Sequence, residues 1–252
     1  MRFASLGSGS KGNATLVQAG DTLVMIDCGF SLRETTRRLD LLGLSPQQLT
    51  AILVTHEHSD HCSGVAALSR KHSIPVYLTH GTYSSGRCDN CFSHNHFHFA
   101  DNFSIGCLDV KPVAVPHDAK EPCQYVFFYK GKSLGILTDL GSITPHVVDS
   151  YRGCDGLVLE FNHDQKLLRE GAYPHHLKLR VGGDWGHLNN HQAACLLDKI
   201  DHTSLKHLVI AHISEKNNSQ QLAEQALLSV LPSLDDVVWA DQANGFGWLS
   251  LE

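Results

Sequence analysis

The chain opens with three short, mainly apolar runs, Arg2 to Leu6, Ala14 to Gln18 and Thr22 to Ile26, separated by polar turns that carry glycine. Runs of this length bounded by turn residues predict strands, and Gly20-Asp21 predicts the tight turn of a hairpin. Ser31, with Glu34 three residues on, begins a helix that Leu39, Leu41 and Leu42 carry to Gly43. Ala51 to Thr55 reads as a buried strand, Gly64 to His72 as a helix and Pro75 to Leu78 as a strand. From 80 to 105 the periodicity fades into a segment rich in Cys, His, Asn and Phe, and strands return at Leu108 to Val115, Gln124 to Tyr129 and Ser133 to Thr138. The remainder alternates. A helix is expected from Pro145 to Tyr151, a strand from Leu157 to Phe161, helical turns between Asp164 and Val181, a helix from Asn190 to Ile200 and a strand from His207 to Ile210. A helix near Ser219 to Leu231 and strands near Val237 and Gly247 close the chain. No linker, repeat or low-complexity run interrupts it, so one domain over residues 1–252 is expected, with two sheets faced by helices on the outside.

Composition excludes more than it identifies. At 42% hydrophobic and 18% charged residues, the chain is neither disordered, collagenous nor a coiled coil. No apolar run approaches the roughly 18 residues needed to span a bilayer, and the first residues lack a signal-peptide layout; a cytoplasmic protein with reduced cysteines is expected. A formal charge of -6 gives no global attraction to nucleic acid or anionic lipid, so any polyanion must bind locally. The 18 histidines alter the picture, because imidazole is the commonest metal ligand.

Three of them fall within six contiguous residues, His56-Glu57-His58-Ser59-Asp60-His61, where the strand from 51 ends and a helix begins. In extended backbone His56 and His58 point to the same side, and Asp60 and His61 follow on the turn, so four ligating groups converge within six residues. They can hold two adjacent cations.

A His-x-His-x-Asp-His run after a short apolar strand resembles the metallo-β-lactamase fold superfamily. The resemblance implies an α/β fold, a four-layer αβ/βα sandwich of two mixed β-sheets flanked by helices, with a dinuclear centre between the sheets. It asks for further ligands downstream and an Asp after an earlier strand; Asp27, His117, Asp139 and His212 each end an apolar β-run in the required order. By resemblance, His56, His58, His117 and Asp139 hold one ion, and Asp60, His61, His212 and the same Asp139 hold the other. Asp27 and Asn13 are expected behind the ligands, Asp27 accepting from a ligand imidazole and fixing its tautomer. Two divalent ions about 3.5 to 4 Å apart acidify a shared water and neutralise charge in the transition state, and a carboxylate, with two oxygens, can join them. Mixed His and carboxylate ligation suits Zn²⁺ and tolerates Mn²⁺ or Fe²⁺.

Glu160 and His187 resemble the Glu and His dyad of nuclease and phosphodiesterase branches, where an oriented imidazole protonates the departing oxygen. The alternative is a helix-capping His187 and a solvated Glu160. With Asp60 and Asp139 they make up the expected catalytic set. Leu6-Gly7-Ser8-Gly9-Ser10-Lys11-Gly12-Asn13-Ala14, Pro116-His117-Asp118-Ala119, Glu160-Phe161-Asn162-His163-Asp164 and Gly186-His187-Leu188 are similar to the YycJ/WalJ-type, exonuclease-like branch. That resemblance implies a metal-dependent hydrolase of phosphodiester bonds acting on DNA from an end. The alternatives are a hydrolase of a small cyclic phosphodiester or thioester, and a metal-binding regulatory protein without catalysis.

Three further features stay open between readings. The glycine-rich opening is either a hairpin turn or, with Asn13, a concave anion nest. Lys166, Arg169, His175, His176, Lys178 and Arg180 either track phosphates or form a solvated helix face. Cys88-x2-Cys91 followed by His94 and His96 is a structural zinc site, a reduced loop pair or a redox pair.

Overall fold

A computed structural model describes residues 1–252. Two seven-stranded sheets face one another. The first holds β1 (Arg2–Gly7), β2 (Ala14–Ala19), β3 (Thr22–Ile26), β4 (Ala51–Leu53), β5 (Pro75–Thr79) and β6 (Ser93–Phe97), in that order, with β14 (Phe246–Ser250) outside β1. The second runs from β7 (Phe103–Ile105) through β8 (Leu108–Ala114), β9 (Cys123–Tyr129), β10 (Lys132–Leu137), β11 (Gly156–Glu160) and β12 (His207–Ala211) to β13 (Val237–Trp239). Each sheet is half antiparallel and half parallel: pairing changes hand at β3 in the first and at β10 in the second. The β2–β3 hairpin turns on Gly20-Asp21, with Gly20 at φ 52°, a left-handed conformation glycine adopts without strain.

Helices cover both outer faces. α1 (Leu32–Leu41), the one-turn α2 (Ser59–Cys62), α3 (Val65–His72) and α4 (His80–Tyr83) accompany the first sheet. α5 (Pro145–Tyr151), α6 (Gln165–Glu170), α7 (His175–Val181), α8 (Asn190–Lys199) and α9 (Gln220–Leu227) belong to the second half of the chain. Ser31 caps α1 by accepting from Glu34 N–H at 3.3 Å, and Asn189 caps α8 in a capping box with Gln192. The apolar side chains fall into three clusters, one between the sheets and one beneath each helical layer. That partition is the expected four-layer sandwich. Tyr125, fully buried between the sheets, donates its hydroxyl to Val54 C=O at 2.7 Å and ties β9 to the chain entering the histidine motif.

The parallel half of each sheet runs toward one common edge. Loops leaving the carboxyl ends of β3, β4, β10, β11 and β12 gather there, the position where open α/β sheets place their sites. Asp27, Asp139 and His212, each the second residue after a strand or nearer, have φ of 61°, 55° and 52°. The left-handed turn swings each side chain off its strand direction and toward the gap between sheets.

Candidate metal centre

The expected ligands converge at this edge in two groups. In one, His56 Nε2 lies 3.0 Å from His58 Nδ1, which in turn is 3.2 Å from His117 Nε2. The hydrogen bonds behind these rings assign their protons. Thr55 Oγ1 donates to Asp27 Oδ2 (2.8 Å), so it can only accept from His56 Nδ1 (2.9 Å). His117 Nδ1 donates to Gly186 C=O (2.9 Å) and His58 Nε2 to Asp118 C=O (3.2 Å). Three imidazole lone pairs are therefore left facing one another, an arrangement that is repulsive without a cation among them.

The second group centres on His61. Its Nδ1 donates to Asp27 Oδ2 at 2.7 Å, while its Nε2 lies 3.3 Å from both Asp60 Oδ2 and Asp139 Oδ2. His212 Nδ1 is 3.2 Å from Asp139 Oδ2, yet both atoms are buried and in hydrogen-bond geometry with nothing. Orphaned buried donors and acceptors are costly, and a divalent ion held by Asp60, His61, His212 and Asp139 would satisfy them. Asp139 has one oxygen toward His61 and His212; the other is 4.0 Å from His117 Nε2. It stands between the groups. The donor chemistry fits divalent metal, and the residues expected to hold it are those the structure assembles.

Electrostatics divide the site the same way. Burial, followed by the neighbouring His61, holds His56 well below the usual histidine range, and burial lowers His117 too. Burial also opposes charge on His61 and His212, but Asp139 and its fellow carboxylates prevail, keeping His61 well above its usual range and lifting His212 to about 9. Against its burial, the same two imidazoles hold Asp139 well below the ordinary carboxylate range. His56 and His117 present neutral nitrogen donors, and the group around His61 a charged network.

Asp27 stands where the sequence places it, behind His61, and its second oxygen accepts from Thr55 N–H at 2.8 Å. Asn13 Nδ2 lies 3.3 Å from Asp60 Oδ2 and 3.1 Å from His61 Nε2. Glu160 is completely buried and far from solvated. Its two oxygens accept from the backbone N–H groups of Asp139 (3.1 Å), Leu140 (2.8 Å) and Leu188 (3.1 Å), and from His187 Nδ1 (3.1 Å). His187 caps no helix; Asn189 does that. Its ring lies 5.2 Å from both the His117 and His212 rings, over the gap.

Three features that the sequence leaves open take definite forms here. The glycine-rich opening forms no anion nest, because Ser8, Gly9, Lys11 and Gly12 N–H groups are spent on Asp241, Asn13, Gln242 and Gly9. Instead Ser8 Oγ accepts from His212 N–H at 2.9 Å and braces that ligand. In the basic stretch only Arg180 reaches the site, ion-paired with Asp118; on the surface Lys178 Nζ donates to Arg169 C=O at 2.8 Å and Arg169 pairs with Glu170 at 3.1 Å. At the CxxC segment all four donors are not aimed at one point: His94 Nε2 faces Cys88 C=O at 2.6 Å and His96 Nδ1 faces His80 Nδ1 at 3.1 Å. All eight cysteines are free thiols. Thr55 and Arg87, which respectively orders the His56 ring and lines the cavity, escape a reading based on motifs, since neither belongs to a recognisable spacing.

Above the centre is a cavity of about 310 Å³, lined by Asp60, Arg87, Tyr173, Arg180, His187 and His212 among others. Two facing mixed sheets with a histidine and aspartate centre at their shared edge define a metal-dependent hydrolase of the metallo-β-lactamase fold. The sequence profile of the Beta-lactamase superfamily domain matches residues 22–213, and the chain belongs to that family. It is 32% identical over 247 residues to the exodeoxyribonuclease WalJ of Streptococcus pneumoniae serotype 2, covering 95% of this chain and 91% of that protein. To the exodeoxyribonuclease YycJ of Bacillus anthracis it is 34% identical over 235 residues, 92% of this chain and 89% of the relative. The crystal structure of the metallo-β-lactamase fold protein YhfI of Bacillus subtilis superposes with a TM-score of 0.77 at 15% identity, covering 99% of both chains, which is a likeness of fold.

Proposed function

We propose that this chain is a dinuclear-metal phosphodiesterase that removes nucleotides from an end of DNA, working as one domain in the cytoplasm. No helix is long and apolar enough to cross a membrane. The names of the relatives supply DNA and the terminal mode of attack; the residues supply the chemistry. The observation that carries the reading is the Glu160–His187 contact of 3.1 Å at the rim of the ligand cluster, because hydrolysis of an unactivated phosphodiester needs a proton for the departing oxygen.

His56, His58 and His117 would hold one ion, Asp60, His61 and His212 the other, with Asp139 shared. Bound Zn²⁺ or Mn²⁺ supplies Lewis-acid charge and an acidified water. Arg180 and Arg87 face the same cavity and bind phosphate oxygens there. Glu160 fixes the His187 ring through Nδ1 and leaves Nε2 to deliver a proton to the leaving oxygen. By gripping the Asp139, Leu140 and Leu188 amides as well, the same carboxylate sets the shared ligand and the acid at a constant separation.

The test is an untagged preparation assayed for metal per chain, then for turnover of end-labelled single- and double-stranded DNA, a chromogenic phosphodiester and a thioester. Metal above one equivalent and progressive shortening of DNA are expected. Asp139→Ala should abolish turnover, and His187→Ala should lower kcat by about 10²–10⁴. An intact DNA end while the small phosphodiester or thioester is consumed would overturn the assignment of substrate.

A further inference from the structure

We propose that Trp185 is a stacking platform for a nucleobase of the substrate strand at the mouth of the cavity, an inference that rests on the phosphodiesterase reading. Trp185 occupies a turn closed by Gly186 N–H donating to Gly183 C=O at 2.8 Å, which puts Asp184 and Trp185 at its corner. The turn is clamped on every side. His187 N–H donates to Val181 C=O at 2.8 Å, and Gly186 C=O accepts from the ligand His117 at 2.9 Å. A Cβ on Gly186 would lie 2.2 Å from the Arg180 and Val181 carbonyl oxygens, and one on Gly141 would lie 2.4 Å from Asp184 O. Yet the indole on this fixed turn is 64% exposed.

Its chain neighbours Gly186 and His187 line the cavity, as do Arg180, Arg87 and Tyr173. The cavity lining therefore pairs cations for phosphate with the Tyr173 ring, and Trp185, next in the chain to two lining residues, would add a second aromatic face, the combination that grips a single strand without reading its sequence. Preceding the turn, α7 buries none of its residues and leaves Leu179 63% exposed, so the indole and its flank face solvent with no element of the chain over them. A planar ligand with an attached phosphate, the nucleoside unit of a strand end, suits both features.

Stacking is measured by removing the base. The metal-loaded wild type, Trp185→Ala and Trp185→Phe would be titrated against a fluorescein-labelled short oligothymidylate and an abasic strand of equal length, both with hydrolysis-resistant phosphorothioate links, with gel filtration of each protein. The wild type should bind the base-bearing strand about tenfold more tightly than the abasic one. Trp185→Ala should lose that preference while holding the abasic strand as before, and Trp185→Phe should keep most of it. The proposal is overturned if Trp185→Ala retains the preference, if it weakens both strands equally, or if it converts a wild-type dimer into monomers, which would give the indole to a second copy of the chain. A wild type that cleaves no phosphodiester but still prefers the base-bearing strand would sink the catalytic reading and leave this subsite standing.

Discussion

Thr55 shows how much of the centre is decided one atom behind the ligands. Its hydroxyl can give only one proton, and giving it to Asp27 obliges it to take one from His56; Asp27 meanwhile takes the proton of His61. One carboxylate thus sets the ring tautomer on both sides of the cluster. Asp27→Asn should lower metal affinity about 10- to 100-fold with the ligands intact, measured by competition with a chromogenic chelator. A different buried imidazole contributes to acid stability. Burial, then the nearby His187, brings His163 down from 6.5 to about 4. Between those values the unfolded chain takes up a proton that the folded chain refuses. Stability is therefore complete above about pH 6.5 and is lost as the pH falls toward 4, by about 3 kcal/mol for this group. The pH dependence of the urea midpoint should flatten over that interval in His163→Gln.

Between elements, the closest approach is that of three loops around the histidine motif. Asn13 N–H donates to Asp60 C=O (2.8 Å), Cys28 N–H to His61 C=O (2.7 Å) and Gly64 N–H to Cys28 C=O (2.7 Å). A Cβ on Gly29 would come within 1.8 Å of the Asp60 carbonyl oxygen, so backbone itself would have to move. Gly29→Ala should destabilise the fold by about 3 kcal/mol or more and release metal with it, visible as a lowered urea midpoint and reduced metal per chain. Elements of this kind were readable unequally. Strands β1 to β3 and the β8 to β12 series are announced by apolar runs, because both faces of their sheets are covered. β6 is not: Ser93–Phe97 is an edge strand of mostly half-exposed, polar residues, and its pairing with β5 is supplied by the sheet, not by its composition. β4 ends at Leu53 instead of continuing to Thr55, since Thr55 N–H turns aside to Asp27. The contiguous donors of the cluster were legible from spacing, and the distant ones from the resemblance. Arg87 was not, because only the folded path of the segment after α4 carries it to the cavity.

At the scale of the molecule, the centre belongs to neither sheet alone. Asp27, His56, Asp60 and His61 leave the first sheet, whereas His117, Asp139, Glu160 and His212 leave the second. Metal binding at that edge should therefore act on the whole fold. At a free metal concentration 100 times its dissociation constant, one bound ion adds about 2.7 kcal/mol, which in a chain of this size raises Tm by about 5–10 °C. Dialysis against a chelator should reverse the gain in a calorimetric scan, and readdition of Zn²⁺ or Mn²⁺ should restore it. Because each half carries only part of the donor set, a polypeptide with either half misassembled should lack the complete centre. Metal content per chain should therefore report the fraction of molecules whose two halves have met in the right register.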